Sequence, residues 1–243
     1  MGKPTLFKLN VSVRNALGDW KTMLDVNNAK IQWQHIVNLY QYQKNQGFTL
    51  ANKLTKQHVM FEKNKMKVKF AVQVLSRSVA NALLTMCELK IEQFDNVQPT
   101  VEYLQMFDSL YDVMNSRTLS QQCSKAPLKE ANEQKWKSIF EKAVTYISNL
   151  KTQRGKNVLQ SNRYAAFLGW RVNIKTINEL YNYVVKTGDL NFMLTFKLSQ
   201  DPLENFFGSI RMACGNNNNP TSIQLKSAFQ SLLCNTLNRK VVI

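Results

Sequence analysis

The sequence predicts a mainly α fold, and three observations carry that expectation. Only 8 Gly and 5 Pro punctuate 243 residues, so helix breakers are scarce. Apolar side chains recur in steps of three and four over several long windows. Strict two-residue alternation, the mark of a half-buried strand, survives for only part of one stretch.

That stretch is the opening one, Thr5 to Asn15, whose alternation is lost partway, so it reads equally as the end of a strand or the start of a helix. Trp33, Ile36, Val37 and Tyr40 have helical spacing, and Gly47 ends the segment. The clearest period runs through Ala71, Val74, Leu75, Ser78, Val79, Ala82, Leu83 and Met86 and predicts one helix buried on that face. Its flank, Phe61 to Lys69, carries lysine at every second position from Lys63 and should face solvent or a ligand. Asp95 to Thr100 reads as a turn, with Thr100 capping a helix through Tyr103, Leu104, Phe107, Leu110, Tyr111 and Met114. A polar loop from Asn115 to Pro127 leads into an amphipathic segment with Trp136, Ile139, Phe140, Ala143, Ile147 and Leu150 on one side. A helix spans Ala165 to Val185, with Gly169 a candidate kink, and Phe192 to Leu198 is a short apolar connector. Asp201, Pro202 and Glu204 form a helix start, Gly215 a stop, and Thr221 or Ser222 the cap of a last helix through Ile223, Leu225, Phe229 and Leu232.

The length allows one large domain or two small ones. Lys and Arg number 32 against 16 Asp and Glu, a net charge of +16. Such an excess favours a polyanion, because cations that neutralise phosphates release condensed counterions; the competing reading is a solvated basic surface. Cys87, Cys123, Cys214 and Cys234 are far apart, and His35 and His58 are the only histidines, so zinc-ligand spacing is absent. No apolar run reaches the ~20 residues of a membrane span, and no membrane partner is expected. The amino-terminal residues lack a signal-peptide core, so a reducing compartment with free thiols follows. His58 reads as packed or phosphate-facing. Tyr164, Phe167 and Trp170, with Arg163 and Arg171, read as a helix interface before a base-stacking surface, because they recur at helical spacing.

The most informative stretch is Leu198-Ser199-Gln200-Asp201-Pro202-Leu203-Glu204-Asn205-Phe206-Phe207-Gly208-Ser209-Ile210-Arg211, followed by Gly215, Asn219, Pro220, Thr221 and Gln224. Taken locally, Asp-Pro-x-Glu is a capping box, in which both carboxylates bind free backbone amides. The whole stretch resembles the C-terminal signature of P-element-type transposases, the group that includes the THAP-domain transposases. Ile31 to Ile36, Ala51 to Val59, Lys65 to Ser76 and Phe107 to Arg117 continue that likeness more diffusely.

The resemblance implies a helical insertion domain followed by the C-terminal helices of a split RNase H-like fold: residues 1–20 a remnant of the RNase H-like domain, 21–190 the GTP-binding insertion and 191–243 the C-terminal part. It implies a nuclear protein derived from a cut-and-paste transposase, with GTP as an assembly cofactor, transposon-end DNA as partner, and possible homo-oligomerisation. Glu204 matches the third carboxylate of an Asp-Asp-Glu site for Mg2+, with Asp201 beside it as a cap or second metal contact. Two divalent ions clamped by such carboxylates stabilise the attacking and leaving oxygens of a phosphoryl displacement. The first two aspartates of that set have no counterpart: Gly2 and Lys3 stand where the second is expected, and Asp19 and Asp25 match no motif. Glu204 alone predicts weak or no catalysis, which leaves a non-catalytic DNA- or nucleotide-binding module as the alternative. No Gly-x-x-x-x-Gly-Lys-Ser/Thr loop occurs, so a nucleotide needs another cradle. Lys65 and Lys67, with Val68 and Ser76 on the same stretch, are the candidates for the phosphates, and Asp108 or Asp112 for the guanine edge. The competing reading makes these lysines and aspartates ordinary surface charges.

Overall fold

The structure is a computed structural model that describes the backbone of residues 6–47, 49–50, 53–199 and 201–240, and side chains within 8–47, 49–50, 53–199 and 203–234. It has two compact units, Met1–Phe196 and Lys197–Ile243.

The ambiguous opening stretch is helix α1, Leu6–Trp20. Leu9, Val13, Ala16 and Leu17 are buried, and so are Asn10, Arg14 and Asn15 on other faces. A helix enclosed nearly all round shows no clean polar face, which explains the blurred period. The interior polar groups fasten the lysine-rich flank: Arg14 donates to the carbonyls of Asn64 (3.2 Å) and Lys65 (3.3 Å), and Asn15 to that of Lys65 (3.1 Å). Burial, opposed by the charge of Glu62, lowers the Arg14 pKa to about 10.

Strands β1 (Thr22–Leu24), β2 (Lys30–Gln32) and β3 (Lys151–Thr152) form a small antiparallel sheet in the order β2-β1-β3. Helix α2, Trp33–Gln46, follows β2 and ends at Gly47 with φ 71°. The short α3 (Lys56–Val59) and a 3-10 turn (Phe61–Asn64) lead to α4, Val68–Val74, and α5, Arg77–Glu88. The single helix expected from Ala71 to Met86 is thus two. Ser76 breaks it: its Oγ accepts from the Val79 amide (3.4 Å) and donates to the Gln73 carbonyl (2.8 Å), capping α5. The stretch Val68–Glu88 has the length and apolarity of a membrane span. Its Ala71, Val74, Leu75, Val79, Ala80, Ala82, Leu83 and Met86 are instead buried in the protein core.

Helix α6 is Gln98–Val113, with Pro99 in its first turn. Thr100 is therefore inside the helix, not its cap. Its hydroxyl accepts from the Gln32 amide and meets His35 Nδ1, both at 2.9 Å, tying α6 to β2 and α2. Helices α7 (Glu133–Asn149) and α8 (Tyr164–Val184) complete the first unit. Gly169 does not interrupt α8: a Cβ there would run into Leu9 Cδ2, so the glycine lets α1 approach. Phe167 and Trp170 are fully buried and meet the Phe107 ring edge-on and tilted, so those aromatics are packing residues; Tyr164 is exposed, and Arg163 pairs with Asp19. The connector pairs Met193 with Leu128 and ends in a 3-10 turn, Thr195–Leu198.

The second unit is a hairpin of α9, Asp201–Ala213, and α10, Ser222–Lys240. Gly215 (φ 68°) and Asn216 (φ 62°) end α9 in the left-handed region. The Asn219 amide donates to Asn217 Oδ1 (2.9 Å). Thr221 and Gln224 make a reciprocal box, the Gln224 amide to Thr221 Oγ1 (3.3 Å) and the Thr221 amide to Gln224 Oε1 (3.0 Å). Thr221 is the cap.

Candidate nucleotide site and the Glu204 helix

Asp108 and Asp112 lie one turn apart on α6 and line a cavity of about 420 Å³. Across it stand Lys53 from the segment before α3, Gln73, Ser76, Ser78 and Val79 from the α4–α5 region, and Arg117, Gln121 and Lys125 from the loop after α6. The aspartates sit there because Phe107 and Leu110 on the other side of α6 are core residues, while Tyr111 lines the cavity beside them. The loop is held in shape by Gln121, whose Oε1 accepts from the amides of Arg117 (2.7 Å) and Thr118 (3.2 Å).

Burial first, and then the charge of Asp112, raises the Asp108 pKa to about 6, against the pull of Arg77. Asp112 is also raised by burial, though Lys125 (3.7 Å) and the Ser124 hydroxyl (3.2 Å) favour its charged form. These carboxylates are acceptors kept partly dry, the condition in which a hydrogen-bond donor on a ligand gains most.

A second depression of about 520 Å³ shares Lys53 and Gln73 with the first and adds Lys56, His58, Lys69 and Phe70. The two adjoin through these shared residues. Together they make a groove whose first part sets both aspartates among Lys53, Arg117 and Lys125 and whose second part is lined, His58 aside, by lysines alone among charged groups. His58 is buried beneath it: its Nδ1 accepts from the Thr55 amide (3.0 Å), leaving Nε2 to donate to Gln73 Oε1 (2.9 Å). Burial lowers its pKa, so the ring is a neutral brace for Gln73.

Of the residues expected to hold a nucleotide, the fold brings Ser76, Asp108 and Asp112 together. Lys65 and Lys67 do not line the groove. Lys65 pairs with Asp19 (3.3 Å), and Lys67 lies over the Phe70 ring at 5.4 Å. Val68 begins α4 and is also outside the lining. The groove's cations are Lys53, Lys56, Lys69, Arg117 and Lys125, which sequence reasoning passed over. Lys69 had a usable signal, since it shares a helix face with Gln73 in i,i+4 spacing; Lys53 and Arg117 come from irregular segments and had none.

In the second unit Glu204 is exposed on α9, as are Leu203 and Phe207, while Ile210 is buried and Phe206 packs edge-on to Phe229. The side chain of Asp201 lies outside the described residues. Gly215, Asn219, Thr221 and Gln224 of the terminal motif are accounted for by turn and cap geometry. Among the described residues no three His, Cys, Asp or Glu side chains converge on a point where a metal ion could sit.

Comparison with known proteins accords with this arrangement. Residues 8–127 match the family model of a TNP-like GTP-binding insertion domain, and residues 196–230 that of a TNP-like RNase H C-terminal domain. The chain is similar to the human DNA transposase THAP9, 29% identical over 229 residues, covering 90% of this chain and 24% of that protein. It is also similar to the transposable element P transposase of Drosophila melanogaster, 23% identical over 239 residues, covering 98% of this chain and 30% of that one. The chain thus spans about a quarter to a third of the length of these relatives. The solved Drosophila P element transposase strand transfer complex has the same fold, with TM-score 0.74 and 24% identity over 92% of this chain and 48% of that chain.

Proposed function

This chain is a member of the P-element-type transposases, and on that footing we propose that it is a guanine-nucleotide-gated, DNA-binding part of the transposition machinery, acting in the nucleus. The observation that carries the reading is the groove with Asp108 and Asp112 in one part and Lys56 and Lys69 in the other, Lys53 and Gln73 lining both. The fit follows from the donor set. A guanine edge offers two adjacent N–H donors to a carboxylate, whereas adenine presents a ring-nitrogen acceptor there, which a carboxylate repels. Lysines hold phosphates as point charges without a glycine-rich loop. GTP, when bound, supplies a polyanionic tail that neutralises the lysine end; Asp108 and Asp112 accept from the base, and Gln73, braced by His58, lines the passage between the two ends.

Glu204 is the residue that would hold a divalent ion, which stabilises the oxygens of an in-line displacement. It offers a single carboxylate, and no three potential ligands converge among the described residues. That observation favours a second reading, in which the chain binds DNA and nucleotide without strand chemistry.

A titration with a fluorescent guanine nucleotide, competed by GTP or ATP, tests the first reading. GTP should win by at least tenfold, and Asp108→Asn should abolish the preference. Equal competition by ATP, or no binding at all, overturns it. Cleavage of transposon-end DNA with Mg2+ that is lost in Glu204→Gln would overturn the second reading.

A further inference from the structure

The proposed function absorbs the cations of the groove but not those around β3. There the chain reverses sharply within residues 151–156. The Thr152 amide donates to the Lys156 carbonyl and the Gly155 amide to the Thr152 carbonyl, both at 2.8 Å, and Gly155 holds φ 78°. This is a three-residue hairpin loop with a glycine bulge, a rigid form of reversal. Its base is anchored: Asn157 donates to the Ser148 carbonyl (2.6 Å), the Val158 amide to the Leu150 carbonyl (3.0 Å), and Val158 is fully buried. The tip residues Gln153, Arg154 and Lys156 are exposed.

Charge is concentrated on this finger. Lys151, Arg154 and Lys156 fall within it, and no acid does. Register adds Lys30: Leu24 of β1 pairs with Lys30 on one side and Lys151 on the other, so the two lysines share one row across the sheet. The Lys151 ammonium donates to the neutral amide oxygen of Asn28 (2.9 Å), and among the described residues Lys30, Arg154 and Lys156 have no ion pair. Asp25, the acid of the neighbouring β1–β2 turn, is buried with its Oδ1 committed to the amides of Asn27 (2.8 Å) and Ala29 (2.7 Å).

We infer that the 151–156 hairpin, with Lys30 beside it, is a docking finger for the phosphodiester backbone of duplex DNA. The inference rests on the DNA-binding reading above and adds the surface. An anchored loop loses little conformational entropy on binding, so its cations act more strongly than lysines scattered on a mobile surface. A bilayer is the poorer occupant, because the loop carries no apolar side chain to insert and Val26 is the single large exposed one on the adjacent turn.

The test is a salt series of duplex binding by the full chain, from about 50 to 200 mM, where each lost phosphate contact lowers the log–log slope by about one. Arg154→Ala and Lys156→Ala should each do so and weaken binding about fivefold near 0.15 M salt. Arg154→Lys should restore the slope, which separates charge from folding. Lys175→Ala, on α8, should leave it unchanged. If wild type does not bind duplex DNA, the DNA reading itself falls. If wild type binds and the hairpin variants keep its slope, or if Lys175→Ala lowers it equally, only the finger assignment falls. Arg154-dependent capture by phosphatidylserine vesicles without duplex binding would also overturn it.

Discussion

Asp108 makes the sharpest claim at the scale of single residues. Its folded pKa, raised to about 6 by burial and by Asp112, lies above the ordinary carboxylate value of 3.8, so ionising it costs the fold free energy. That penalty is absent below about pH 4 and complete above about pH 6. Asp108→Asn keeps the shape and removes the charge, so it should raise the melting temperature near pH 7.5 and make little difference near pH 4. A stabilisation that does not change with pH would refute the assignment. Nucleotide binding should move the opposite way in wild type, weakening as pH falls through 6, because a protonated Asp108 loses its charge and can no longer accept from the base with both oxygens. The histidines add a separate acid limit. Burial lowers the pKa of both His35 and His58, so their contribution to stability is present above about 6.5 and is lost as pH falls below it.

Single elements show both what could be read from the amino-acid order and what could not. Helices α6, α7 and α8 were legible because each buries one stripe against the core, and a stripe leaves a 3.6-residue period. Helix α1 was ambiguous because it is enclosed on nearly every side. The sheet went unseen because strands as short as Thr22–Leu24 carry too few side chains to show alternation. The period from Ala71 to Met86 runs unbroken across Ser76, which caps the second of two helices; the apolar stripe stays in phase through the break and so hides it. In the groove, the aspartates were named through the family resemblance, but the cations that join them are set by where the loops at Lys53 and Arg117 run, a tertiary fact. Gly169 turns this into an element-scale prediction. Gly169→Ala drives a methyl into Leu9 and should cost about 1–3 kcal/mol as overpacking, despite alanine's better helix propensity. Adding Leu9→Val should recover part of the loss in a double-mutant cycle; strict additivity of the two changes would show that the close approach of α1 and α8 is not the cause.

Across the whole molecule, burial is divided unequally between the two units. In Met1–Phe196 a continuous core runs from Leu9 through Met193, with Trp33, Tyr103, Phe107, Phe167, Trp170 and Tyr181 all within it. Within Lys197–Ile243, Ile210 and Ala228 are the buried hydrophobic residues among those described, while Leu203, Phe207, Met212, Ile223, Leu225, Phe229 and Leu233 stay largely exposed. Helix propensity alone holds an isolated helix of this length only marginally, since most helical stability in proteins comes from burying an apolar face. The α9–α10 hairpin should therefore open locally at a free energy well below that of global unfolding. Native-state hydrogen exchange tests this directly. Amides in the middle of α9 and α10 should exchange through openings several kcal/mol less costly than those of α6 and α8, whose slowest amides should report the global value. Thr221→Ala, which removes the cap, should speed exchange through α10 and leave α6 untouched, at a cost of about 1 kcal/mol. Equal protection in α9 and α6 would mean that the exposed apolar face of the hairpin is covered in solution, and would turn attention to what covers it.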